Sequence, residues 1–195
     1  MNASGYVASF AIVILIVVAG FIVISNFNAV IALQRRIDKA WANIDVVLKQ
    51  RHDMLPALVA AVRGLMAYEQ DVLTEVTRTR AAYSPTEPIH DQAVTSEATS
   101  AAVRSLFAVV ERYPAIKSAA NVADLQDQIE RIEGMIADRR ELYNDQVYRY
   151  DTKISQFPVN AMAALFGWTP REYFKAEPGD AIRPDVSLDT TRPPG

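Results

Sequence analysis

The apolar positions divide this chain into two regimes. From Tyr6 to Ile24 the sequence YVASFAIVILIVVAGFIVI carries no charge, and as a helix it would be about 28 Å long, close to the thickness of bilayer hydrocarbon. Beyond it, apolar residues recur three and four apart, the spacing that gives a helix one apolar stripe. Val30, Leu33, Ile37, Trp41, Ile44 and Leu48 form the first stripe, and no Gly or Pro separates it from the apolar run. The segment His52-Asp53-Met54-Leu55-Pro56 is expected to break that helix, because Pro fits only a first turn and Asp53 is a good N-cap. A kinked but continuous helix is the alternative. A second stripe, Leu58, Val59, Val62, Leu65, Met66, Val72, Leu73 and Val76, stops at Ser84-Pro85-Thr86-Glu87-Pro88. A third, Ala-rich helix is expected from Asp91 to Tyr113, before Pro114.

Asn121 with Asp124 signals the start of a fourth helix, with Leu125, Ile129, Ile132, Ile136, Tyr143, Val147, Tyr150 and Ile154 on its stripe. Two short helices are expected after Phe157-Pro158 and at Thr169-Pro170-Arg171-Glu172. No two-residue alternation persists, so the fold class is all-α. An N-terminal transmembrane helix (1–24) would precede an antiparallel up-and-down four-helix bundle (25–156), a short aromatic helical segment (157–175) and a disordered polar tail (176–195).

Charge placement then orients the chain. No Lys or Arg precedes the apolar run, whereas Arg35, Arg36, Lys39, Lys49 and Arg51 follow it, so the positive-inside rule puts the N-terminus outside and the body in the cytoplasm. A cleavable signal peptide would need a basic start, a shorter apolar stretch and small residues at a cleavage site, which favours an uncleaved, single-pass signal-anchor. The net charge of −3 and the position of the basic residues beside the membrane argue against nucleic acid as a partner. The chain has no Cys, which excludes disulfides, Cys-ligated zinc and thiol nucleophiles.

Candidate chemistry is sparse. Glu87-Pro88-Ile89-His90 has the Glu-x-x-His spacing of di-iron bundles, but it occurs once and is flanked by Pro, so no metal or cofactor is expected. No phosphate-binding glycine loop or hydrolase elbow is present, and no catalytic residue is assigned. Arg140 interrupts the stripe of the fourth helix, while Asp38 and Asp45 flank Trp41 on the first. These three are candidates for a polar clasp across the helices, fixing alignment more than stability, or else for a ligand site. Counting helix directions returns the chain to the lipid surface near Ile154. That makes Phe166, Trp168, Tyr173 and Phe174 membrane-interface candidates, the alternative being a cap on the open end of the core.

The residues Phe27-Asn28, Gln34-Arg35-Arg36-Ile37-Asp38-Lys39-Ala40-Trp41, Ile44-Asp45-Val46, Asp53-Met54-Leu55-Pro56, Val62-Arg63-Gly64, Glu69, Arg140, Tyr143-Asn144, Val147, Tyr150 and Phe157-Pro158 together closely resemble the LemA family of bacterial membrane-anchored proteins. The resemblance covers about Ser25 to Phe174. It implies one N-terminal span in the bacterial inner membrane and a cytoplasmic helical bundle; the family has no established enzymatic activity, so the resemblance says little about mechanism. Phe27, Ala57, Leu65, Tyr68 and Asp151 depart from the family pattern, which removes polar groups a shared catalytic centre would use. The expected function is therefore a non-enzymatic scaffold or protein-interaction module that contacts the bilayer and either an unidentified protein partner or a second copy of itself. A hydrolase or transferase using the Asp38, Asp45 and Arg140 region is the alternative.

Overall fold

The computed structural model describes residues 3–63, 69–117 and 119–176. The expected polar tail beyond Ala176, and Leu65, Met66 and Tyr68, lie outside the described residues. Among those described, every regular element is a helix: α1 (Ala3–Arg63), α2 (Gln70–Ala81), α3 (Ile89–Val110), α4 (Pro114–Lys117), α5 (Ala120–Ser155) and α6 (Val159–Phe166).

The expected break at His52 to Pro56 does not occur, and α1 passes through Pro56 without interruption. Proline inside a helix costs about 3 kcal/mol, partly because the carbonyl four residues back loses its donor. Here that carbonyl is His52 O, and Arg80 Nε donates to it at 3.2 Å. Leu55, Leu58, Val59 and Val62 are all buried around the proline. At roughly 1.5 to 3 kcal/mol for each large aliphatic side chain, their burial outweighs the local penalty. Tertiary packing thus overrides the helix-breaking signal, and Asp53 is an interior helical residue rather than an N-cap.

Other boundaries shift for local reasons. α3 ends at Val110, and Pro114 opens the short α4 at a first-turn position that needs no N–H. α5 begins at Ala120 with Ala119 as its uncapped start, so Asn121 lies inside the helix rather than at its cap. The expected helix at 169–172 is absent, and that stretch is irregular. α6 closes on Gly167, which takes a left-handed φ of 69° as Trp168 N–H bonds to Ala163 O at 3.0 Å.

α1 and α5 form the longest pairing and run antiparallel. Asn26 meets Lys153, Gln34 meets Tyr150 and Arg51 meets Glu133, so one index rises as the other falls. α2 runs back along α1, with Arg80 beside His52 and Tyr83, just beyond its end, beside Asp45. α3 packs on α2, and its backbone stays farther from α1 and α5.

Two apolar clusters result. The lower one joins Val30 to Leu48 of α1 with Ile132 to Ile154 of α5, Val159 and Ala163 of α6, and Phe174. The upper one joins Leu55 to Val62 of α1 with α2, the C-terminal half of α3, and Ile129. The apolar start of α1 lies outside both, with Phe10, Leu15 and Phe21 exposed. By length and composition this helix is able to cross a membrane.

Candidate functional site

The strongest polar feature lies between the two clusters. Arg51 of α1 is 3% exposed and reaches side chains of both α3 and α5. Its Nη1 donates to Ser100 Oγ at 2.8 Å and to Glu133 Oε1 at 2.9 Å, and Nη2 donates to Ser96 Oγ at 2.9 Å. Ser100 Oγ in turn donates to Glu133 Oε2 at 2.6 Å. Ser96 and Ser100 stand one turn apart on α3, so one guanidinium fork grips both while its charge meets a carboxylate on α5. Both oxygens of Glu133 are engaged, which leaves this network little capacity to activate a nucleophile and much to fix the alignment of three helices.

Above the network is a cleft of about 210 Å³, floored by Ser96, Ser100 and Glu133 and rimmed by Glu97, Arg104 and Arg140. Its rim carries mixed charge, with Arg104 and Arg140 both near Glu97 at 3.3 and 3.7 Å.

The polar clasp expected from the sequence is built from different residues. Arg140 is 48% exposed and pairs with Glu97 rather than with Asp38 or Asp45. Its long stem carries the charge out of the seam to the cleft rim, so the interrupted stripe on α5 does not bury it. Asp38 is exposed, and Asp45 is half-buried and accepts a bond from Tyr83 Oη at 3.3 Å. No ion pair among the described residues joins the three. The residue missed was Arg51, and a signal for it was present. It continues the buried register from Leu48 to Leu55, which the expected helix break concealed.

A second polar group surrounds the proline. The rings of His52 and Tyr83 lie 5.0 Å apart, and His52 Nδ1 is buried with no hydrogen-bond partner among the described residues. Burial, reinforced by the positive charge of Arg80, holds the His52 imidazole below its usual pKa. Burial, with the Asp45 carboxylate adding to it, pushes Tyr83 up to about 12.

After α6 the chain turns back along α5 as a strap. Asp151 accepts from Arg171 N–H at 3.1 Å, and Tyr143 Oη donates to Glu172 O at 2.8 Å. Asn144 both accepts from Phe174 N–H at 2.9 Å and donates to Phe174 O at 3.3 Å. Burial pushes the Tyr143 phenol up to about 12. These bonds separate the four interface candidates. Phe174 is 2% exposed and packs 5.8 Å from Trp41, seventeen residues beyond Ile24 and thus about 25 Å along α1 from the apolar run. Phe174 is a core residue, whereas Tyr173 beside it is 39% exposed. Phe166 and Trp168 instead surround Phe27, with ring centroids 5.2 and 5.6 Å away.

A sequence model of the LemA family matches residues 40–188 of the chain. The chain is also 36% identical over 77 residues to the magnetosome proteins MamQ 1 and MamQ 2 of Paramagnetospirillum magneticum, covering 40% of this chain and 28% of each relative. It is 32% identical over 88 residues to the magnetosome protein MamQ of Magnetospirillum gryphiswaldense, covering 44% of this chain and 32% of that relative. The matches thus span under a third of the length of these curated relatives.

Proposed function

We propose, from the premise that the chain belongs to the LemA family, that it is a single-pass protein of the bacterial inner membrane whose helical body serves as a non-enzymatic scaffold. The first turns of α1 form the span, the N-terminus faces outward, and the body lies in the cytoplasm as an up-and-down four-helix bundle. There it docks a protein partner or a second copy of itself.

The observation that carries this reading is how the interior polar groups are used. Arg51, Ser96, Ser100 and Glu133 bond to one another across three helices. A catalytic centre needs polar groups free to act on a substrate, whereas these four, three of which line the cleft, have their hydrogen bonds engaged with one another. Membrane attachment draws support from the exposure of the apolar residues along the start of α1. The orientation draws support from the basic residues that follow that stretch.

Two measurements test the proposal. Protease added outside spheroplasts should remove a tag fused ahead of Met1 and spare the body, and digestion of α3 under those conditions would reverse the orientation. Cross-linking of the full chain in native membranes should yield a defined protein adduct that persists after purification. A small molecule that co-purifies in the cleft between α3 and α5, and is turned over there, would replace the scaffold with an enzyme.

A further inference from the structure

The segment from Gln156 to Pro170 reads QFPVNAMAALFGWTP, with no charged residue. Within it, α6 is apolar almost all round, Asn160 being its polar position. A helix of that kind is stable only when covered on every side. Protein covers one side: Val159 and Ala163 join the cluster built from α1 and α5, and Met162 is buried as well. The opposite side is bare, with Leu165 78% exposed on α6 and Phe157 87% exposed just before it, while Phe166, at the end of the helix, stays 47% exposed.

The position of this bare face identifies what covers it. The chain enters α6 just after Lys153, whose Nζ donates to Asn26 Oδ1 at 2.8 Å. It leaves beside Phe27, on which Phe166 and Trp168 pack. The end of α5 and the end of α6 therefore sit at nearly the same height on α1, and Phe27 is only about 4.5 Å along the helix from Ile24, where the uncharged run ends. A lipid surface crossed by α1 would meet α6 at the boundary between headgroups and acyl chains, where aromatic rings are favoured.

We propose that α6 and its flanking aromatics, Phe157, Leu165, Phe166 and Trp168, form a second membrane contact that inserts into the bilayer interface beside the span. The proposal rests on the reading of α1 as a membrane span. Because the segment is uncharged, apolar burial drives the insertion, and it requires no anionic lipid. The contact is a foot at the base of the body, laid across the exit of the span.

The test uses the full chain reconstituted in phosphatidylcholine vesicles whose acyl chains carry bromine near the headgroup, which quenches nearby tryptophan. The chain has two tryptophans. With Trp41→Phe, the remaining Trp168 should lose emission in brominated relative to unbrominated vesicles, equally in low and high salt. With Trp168→Phe, the remaining Trp41, about 25 Å from the end of the apolar run, should not. Phe157→Ser with Leu165→Asp alters only exposed positions and should diminish the quenching of Trp168. A third chain, carrying Phe21→Trp with both native tryptophans replaced by Phe, reports the span itself. Quenching at position 21 without quenching of Trp168 would overturn the proposal and leave the span standing. Absence of quenching at both would overturn both. Quenching of Trp168 that vanishes in high salt, or survives the Phe157 and Leu165 substitutions unchanged, would also overturn the proposal.

Discussion

At the scale of residues, the body depends on one buried cation. Removing Arg51 leaves Ser96 and Ser100 without their donor and the partly buried Glu133 carboxylate without its counter-charge, so Arg51→Ala should destabilise the protein by about 2 to 4 kcal/mol. Arg140→Ala, at the exposed cleft rim, should change stability by no more than about 0.5 kcal/mol. Denaturation of the detergent-solubilised chain reads both, and a larger loss for Arg140→Ala would sink this ranking. His52 gives a pH dependence. Its folded pKa lies below the ordinary 6.5, so folding favours the neutral imidazole. The stability it contributes is complete above about pH 6.5 and is lost as pH falls from there through the lowered folded value. Wild-type melting temperature should therefore fall more steeply on acidification than that of His52→Gln, and parallel slopes would refute the assignment. The interrupted stripe at Arg140 was legible in the sequence, but its consequence was not. Periodicity reports which face of a helix a residue occupies, whereas the reach of an arginine stem decides where its charge ends up.

At the scale of elements, the sequence located the cores of the long helices and misread the joints. Stripes such as Ile129 to Ile154 are repeated signals that tolerate local noise, and the corresponding helix is present. Joints rest on one or two residues, and Pro56 shows how a distant side chain overrides them, since nothing near it in sequence announces that Arg80 will occupy the vacated acceptor. That pairing is testable by a double-mutant cycle. Pro56→Ala restores the N–H that His52 O lacks and should stabilise the protein by about 1 to 2 kcal/mol. Arg80→Ala should cost about 1 kcal/mol in the wild type and much less beside Pro56→Ala, because the carbonyl then has its own donor. Equal costs in the two backgrounds would show that the bond to His52 O contributes nothing. The strap from Trp168 to Ala176 was invisible for a different reason. It has no period, and it is held through its backbone by Tyr143, Asn144 and Asp151, residues whose partners no spacing rule identifies.

At the scale of the whole molecule, the all-helical class and the family were legible from distributed patterns, while the uneven packing of α3 against its neighbours was not, because stripes do not encode the distance between helices. The continuity of α1 has a mechanical consequence. Beyond Ile24 it extends for about 58 Å without a joint, so the body of a membrane-spanning chain is a rigid lever that amplifies any change in the tilt of its buried end. A fall in tilt from about 30° to about 10°, as a thicker bilayer would favour, displaces the far end by about 19 Å sideways and raises it about 7 Å. The chain has no cysteine, so a single dye placed by Gln70→Cys is unambiguous. Its energy transfer to a dye on the lipid surface should fall as acyl chains lengthen, and the paired change Asn28→Gly and Ala29→Gly should blunt that response. In a bilayer crossed by α1, a change of thickness would thus move the far end of the body relative to the lipid, turning a property of the membrane into the position of a surface well out in solution.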